Sequence, residues 1–401
     1  MDYRRFFPVL AFLLFYQIAR GMTLPLFPQF FVSAHLSAPE IAYAFAAYSI
    51  SFLIFEALWG FVFEKFSIQG SMPLLPVVVT TVAIGLFAKP TNLTEVLGYE
   101  ILLGFGLGGA GVYPRLVVAH LAKYSERGRL YGIVGLFYSI GATLGALLGG
   151  ALGLLIGVSE AFVVAAAITL LSSVPIWLES RSRVTFVDRE VQTPALSESQ
   201  KVQVKINRSG LIVLGLVGFI AAGGGSGFFT LAFPNILVKD PRFLASVIET
   251  SIVVAAFSLS SGLMQPIVGF LGSRNPIRWI IVCLFATGVC YFSIIFTQSI
   301  SQVELIAIVF GIVYSAITPL TLSLLTSLVP KGFLGRVIGL YGAAEDVGLL
   351  VGASFATYVW GTWGIDYSLS LMGSICALVG ASCYIAKKKG VLGRRPDSTT
   401  D

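Results

Sequence analysis

Apolar runs of about 20 residues, separated by short polar breaks, fill most of this chain, and each is long enough to cross roughly 30 Å of hydrocarbon as a helix. In the first half they fall near 6–32, 40–63, 72–88, 94–121, 130–156 and 160–178. In the second half they fall near 210–237, 245–271, 277–297, 303–328, 335–360 and 367–386. One long polar stretch, 179–209, parts the two sets of six. The other links are short, as between antiparallel neighbours. The pattern predicts an all-α polytopic membrane protein of twelve transmembrane helices in two pseudo-symmetric six-helix bundles. Their expected bounds are 1–178 and 210–389, with a linker over 179–209 and a tail over 390–401.

Glycine spacing says how such helices pack. Gly141, Gly145 and Gly149 recur every four residues, Gly132 precedes them and Gly150 closes the run. Four-residue spacing puts small residues on one side of a helix, where another backbone can come close. In water each such glycine would cost about 1 kcal/mol against alanine; in lipid the backbone bonds cannot be exchanged for water, so the helix survives. The stretch is also written twice. Gly128-Arg129, Gly132, Gly141 and Gly145 meet Gly335-Arg336, Gly339, Gly348 and Gly352 at one offset. GMTLPLFP from Gly21 returns as GFFTLAFP from Gly227, and Trp59-Gly60-Phe61 matches Val268-Gly269-Phe270, at almost the same offset. A duplicated membrane chain is the usual architecture of a secondary transporter.

Composition agrees. Hydrophobic residues make up 56% and charged residues 11%, against roughly 25% charged in soluble proteins. The basic pI of about 9.1 reflects where the charges lie. Lys and Arg crowd the ends and connections on one side, including Arg4, Lys65, Lys123, Arg129, Lys205, Arg274, Arg336 and Lys387, whereas the other side holds Lys89, Lys239 and Arg242. By the positive-inside rule both termini and the long linker are cytoplasmic, and the basic balance needs no nucleic acid. The expected location is the cell membrane, as an uncleaved, multi-pass monomer. Cys283, Cys290, Cys376 and Cys383 sit in apolar runs as small buried side chains. Asn92-Leu93-Thr94 is a glycosylation sequon on the expected outer side. No metal spacing, nucleotide loop or nucleophile–base set is present, so no cofactor and no enzymatic activity are expected.

Charges inside spans are functional candidates, because each is costly there. They are Arg20, Glu56, Arg115, Glu345 and Asp346; Glu100 and Glu249 lie nearer the expected outer ends, within reach of headgroups. At about 1.5 Å per helical residue, Glu56, Arg115 and Glu345 share one level about 12–14 Å in, and Arg20 lies about 22 Å in, near the midplane. Glu56 and Arg115 can pair within the first half. Arg20 has no level carboxylate there and suits a cavity role. His35 and His120 near helix ends are read as bystanders.

The two halves, the middle loop and the glycine rule resemble the major facilitator superfamily. The run from Gly132 to Gly150 resembles the fifth-helix signature of its drug–proton antiporters, with Ala146 where that pattern has proline. Gly60-Phe61-Val62-Phe63-Glu64-Lys65-Phe66 resembles the superfamily's loop after helix two, with Glu64 and Lys65 for its acid and base. Departures accompany the likeness. The second-half copy, from Gly269 to Arg274, lacks the acid, and Glu100 stands where a helix-four signature has arginine. The resemblance implies that helices one, four, seven and ten line a central cavity, making Arg20 and Arg115 substrate-binding candidates. It implies that helices two and eleven meet, bringing Glu56 towards Glu345 and Asp346, the proton-coupling candidates. It also places Glu64 and Lys65 by the start of helix eleven, whose amides and Arg336 suit an anion, as a gate. The expected function is alternating-access transport of a small molecule, as proton-coupled efflux. The alternatives are proton-coupled uptake of a small organic anion and, further off, a membrane-embedded enzyme or scaffold.

Overall fold

The structure is a computed structural model that describes residues 6–36, 38–66, 72–89, 92–181, 207–245 and 247–392. Most of the linker over 179–209 and of the tail over 390–401 therefore lies outside the described residues, as do Arg4 and Lys205. Every regular element described is helical. The first half forms α1 (Phe7–Ser33), α2 (Ala38–Phe66), α3 (Leu74–Leu86), α4 (Leu93–Leu121), α5 (Tyr124–Leu155), α6 (Val158–Leu171) and α7 (Ser173–Arg181). The second half forms α8 (Arg208–Ala222), a π-helical segment (Gly223–Ala232), α9 (Phe233–Lys239), α10 (Val247–Gly272), α11 (Pro276–Ile295), α12 (Ile300–Tyr314), α13 (Ile317–Ser327), α14 (Leu334–Trp363) and α15 (Ile365–Lys388). Among the described residues eleven helical stretches are long and apolar enough to cross a membrane, and α3 is a shorter apolar helix.

Three expected spans are interrupted. The sixth breaks at Ser172, whose hydroxyl donates to the Thr169 carbonyl, and the tenth breaks at Ser315, bonded likewise to Ile312. The seventh passes through the π-helical segment, which contains Gly223, Gly224, Gly225 and Gly227. Tyr314 donates its hydroxyl to the Ala221 carbonyl and Tyr291 to that of Gly224, so side chains satisfy backbone that the changed helical pitch releases. Sharp turns appear at Gly157 (φ 103°) before α6 and Gly364 (φ 91°) before α15. These two glycines stand at the offset that relates Gly128 to Gly335, so the duplication extends to the turns.

The chain divides into two compact units. One comprises Met1–Leu121, Phe137–Ile206 and Pro330–Leu340; the other comprises Ala122–Leu136, Asn207–Val329 and Tyr341–Asp401. The first has a core of aromatic rings in which Phe87 meets Phe27 and Phe30 at 5.1 Å. The second is centred on Phe229, Phe257, Phe310 and Tyr291, with Phe229 and Phe310 rings 4.8 Å apart. Large apolar side chains such as Leu58, Leu147, Val289 and Leu305 are exposed, as a surface solvated by lipid requires. All four cysteines are buried free thiols.

The glycine stripe packs as its spacing predicts. A Cβ on Gly141 would meet Gln17, on Gly145 the carbonyl of Ile18 and Cα of Gly21, and on Gly149 the backbone of Met22, so the stripe lies on α1. Gly150 departs from the expected packing role, because nothing lies within 4 Å of where its Cβ would stand. One residue past Gly149, it is turned about 100° off the stripe. Gly132 packs within the second unit, on the backbone of Gln265 and Pro266 in α10. In the repeat, Gly348 and Gly352 lie on the backbone of Phe219 and Gly223, and Gly339 on that of Glu56 and Ala57.

Candidate functional site

The charged residues of the spans fall into separate groups. Glu56 on α2 is 2% exposed, and Arg115 on α4 reaches it with Nη1 at 3.3 Å from Oε1. Close approach makes the pairing possible: Gly108 on α4 lets the Glu56 backbone in, and Gly111 faces its carboxylate. Arg115 keeps 25% of its side chain exposed, so the pair is not fully enclosed. This is the within-half pairing that equal depth made available.

Arg20 on α1 takes a different partner. Its guanidinium donates to the Tyr138 hydroxyl on α5 and lies 5.5 Å from the centre of that ring. No carboxylate pairs with it among the described residues. One turn away, the Tyr16 hydroxyl shares a hydrogen bond of 3.0 Å with Thr80 on α3. Arg20, Tyr16 and Thr80 thus give the first unit a polar patch without a fixed negative charge.

In the second unit Glu345 and Asp346 are neighbours on α14, both half-buried. Thr318 on α13 donates to Glu345 Oε1 at 3.5 Å. Glu56 belongs to the first unit and the Glu345–Asp346 pair to the second.

The acidic loop residue has a defined partner. Glu64 Oε2 accepts the backbone N–H of Arg336 at 3.0 Å, and Arg336 Nε lies 3.4 Å from Oε1. The contact lies within the first unit, at the first turn of α14, where free amides and the helix dipole attract an anion. Gly60, one turn before Glu64, and Gly335, next to Arg336, let the backbones approach. Arg336 also covers the Phe61 ring at 4.9 Å. Lys65 is exposed. In the second unit the Arg127 guanidinium donates to the carbonyl and hydroxyl of Thr326, while Gly128 meets the Gly269 backbone. The second-half copy thus keeps the close glycine contact without the acid.

One carboxylate differs from its expected surroundings. Glu249, half-buried in the first turn of α10, stays near its helix end. Glu100 does not reach towards headgroups: it is 2% exposed inside the first unit. Hydropathy places such a residue at a depth, but its direction depends on which neighbours cover that face. The glycines one and two turns on, Gly104 and Gly108, were the available signal that this face is covered. A further network ties the link before α10 to the start of α15, with Arg242 at 3.1 Å from Asp240 and 3.0 Å from Asp366. Burial lowers the Arg242 pKa, but the two carboxylates outweigh it and leave it above its usual value.

Two repeats of long apolar helices, close-packed through glycines and carrying a few buried charges, define a duplicated membrane transporter of the helical-bundle class. The profile of the Major Facilitator Superfamily matches residues 9–234 and 214–399, and the chain belongs to that family. It is a multi-pass membrane transporter. It is 23% identical over 372 residues to a multi-drug resistance efflux pump PmrA homolog of Lactococcus lactis, covering 88% of this chain and 87% of that one. Among solved structures it is similar to the human organic anion transporter MFSD10 (TETRAN), with TM-score 0.79 at 18% identity, over 96% of this chain and 100% of that one. A structure of the Escherichia coli fucose:proton symporter FucP gives TM-score 0.73 at 16% identity, over 95% of this chain and 98% of that one.

Proposed function

We propose that this transporter exports a small molecule in exchange for protons. The observation that carries proton coupling is the Glu345–Asp346 pair inside a spanning helix, with Thr318 donating to Glu345. Two adjacent carboxylates in low dielectric resist ionising together, which suits a group whose charge changes during a transport cycle. The likeness to an efflux pump across most of both chains supports export. The two bundles, expected over 1–178 and 210–389, rock about a midplane site to which Arg20 and Arg115 contribute. The Glu64–Arg336 contact serves as a cytoplasmic latch that opening on that side must break. In inverted vesicles with an acid interior, exchange drives substrate inward; failure of an imposed pH difference to move any substrate overturns the coupling. Candidate substrates come from a thermal-shift screen, since a ligand of the folded state stabilises it by mass action.

A second reading is favoured by Arg20. A guanidinium in a span, held by a tyrosine and by no described carboxylate, suits a small organic anion taken up with protons. In the same vesicles symport gives no acid-driven loading, which separates the two.

The distribution of Lys and Arg supports cytoplasmic termini. Lys89 follows α3 and Lys123 follows α4, the next span, and both are exposed, while the native cysteines are buried. An impermeant thiol reagent added outside cells is expected to label Lys89→Cys and spare Lys123→Cys; the reverse pattern inverts the topology.

A further inference from the structure

One buried acid has no part in the arrangement described so far. Glu100 lies about 10 Å along α4 from its Leu93 end, with 2% of its surface exposed. No cation among the described residues neutralises it. Arg115, the arginine of α4, is spent on Glu56 and stands about 22 Å farther along the helix. Arg20 is held by Tyr138, and α3 carries no charged residue. The Ser51 hydroxyl on α2, which faces Gly104 one turn along α4, is also engaged, donating to the Ile101 carbonyl at 2.7 Å. Among the described residues, the Glu100 carboxyl has neither an ion pair nor a hydrogen bond.

We propose that Glu100 is a proton-binding site of the first unit, distinct from the Arg115–Glu56 pair and from Glu345–Asp346. An ionised carboxylate buried without a partner is strongly disfavoured, and one proton removes that cost. Nothing described nearby suits a metal ion instead: Val96 and Leu103, on neighbouring turns, are buried apolar side chains, whereas hard cations require several oxygen ligands. The other titratable groups of the packed elements have their own places. On α2, Tyr48 lies one turn from Ser51, stacked on Phe52, and Glu56 is with Arg115. On α1, Tyr16 is bonded to Thr80 and Arg20 to Tyr138. On α4 itself, Tyr99 donates to Glu95 in the first turns. The carboxyl O–H gives its proton to water when the site is wetted, leaving carboxylate, and takes one back before the site closes. Acids within spans mark ion pathways and proton relays. That the bound proton takes part in transport rests on the proton-coupled reading above.

The test uses the full chain in lipid nanodiscs. A membrane-soluble carbodiimide adds to protonated carboxyls, and peptide mass mapping locates the adduct. The Glu100 peptide is expected to be modified at about pH 5, with labelling falling about tenfold per unit once the pH passes the site's own pKa. Absence of the adduct throughout, or labelling that stays flat from about pH 5 to about pH 10, overturns the proposal. Glu100→Gln keeps the size and neutrality of the protonated acid, so it is expected to fold with wild-type thermal stability. In vesicles its transport is expected to lose part of the wild-type pH dependence, and an unchanged profile overturns the transport role. If the wild type shows no pH-driven transport at all, the coupled reading fails while the labelling still decides the proton site.

Discussion

At the scale of single residues, the first unit separates two acids by their neighbours. Glu56 and Glu100 are equally buried, yet one faces a guanidinium and the other does not. A partly exposed partner such as Arg115 reduces the cost of an ionised Glu56 without making the pair a large source of stability, since desolvation offsets much of the attraction. Removing one partner is worse than removing both. Arg115→Met is expected to lower stability by about 2–4 kcal/mol by stranding a buried carboxylate, while Arg115→Met with Glu56→Gln recovers most of that loss. Thermal unfolding of the four members of the cycle in one detergent checks it, and equal losses in the single and double variants would remove the coupling. The depths of Glu56 and Arg115 were legible because sequence distance converts directly to rise along a helix. The burial of Glu100 was not, because each residue turns the side chain by about 100° and the partner helix lies elsewhere in the chain.

At the scale of elements, glycines determine which helices can touch. The Gly141, Gly145 and Gly149 stripe was readable from its spacing, since small residues four apart make a groove whatever fills it. Its occupant, α1, was not written in that stretch. A leucine at Gly145 would drive into the Ile18 carbonyl and the Gly21 backbone, atoms that cannot rotate away. Gly145→Leu is therefore expected to cost about 3 kcal/mol or more, seen as a lower Tm or loss of the monodisperse protein. Gly150→Leu, with open space before it, is expected to fall within about 0.5 kcal/mol of wild type, and similar damage from both would contradict the packing. The Glu64–Arg336 contact is weaker. Glu64 gives one carboxylate to an amide and a guanidinium at an exposed helix start, worth about 0.3–1 kcal/mol. Glu64→Gln is thus expected to raise accessibility of nearby engineered cysteines by no more than about fivefold, and no change would leave the contact without a gating role. Apolar length alone hid the π-helical segment at Gly223–Ala232, because hydropathy is blind to helical pitch. What the pitch releases is satisfied from α11 and α12, by Tyr291 and Tyr314.

At the scale of the whole molecule, the duplication has produced units with different chemistry. The first holds Arg20, the Arg115–Glu56 pair and Glu100; the second holds the adjacent acids of α14. A transporter that couples two fluxes needs a group whose charge changes during the cycle and a step that charge controls. Glu345 and Asp346 fit the first requirement. Asp346 is rotated about 100° from Glu345 around α14, and of the two neighbours we propose Asp346 as the carrier of the coupled proton. Asp346→Asn fixes the neutral form. It is expected to abolish uptake driven by a pH gradient, while substrate binding and substrate–substrate exchange continue, because exchange needs no change of protonation. Glu345→Gln does the same only if the two acids titrate as a unit; otherwise it shifts the pH midpoint of transport and leaves coupling intact. Radiolabelled exchange and gradient-driven uptake in the same proteoliposomes separate the outcomes. Full gradient-driven uptake in the triple variant Glu56→Gln, Glu345→Gln, Asp346→Asn would move the coupled proton away from all three. Glu100 would then remain as the described buried acid without a partner.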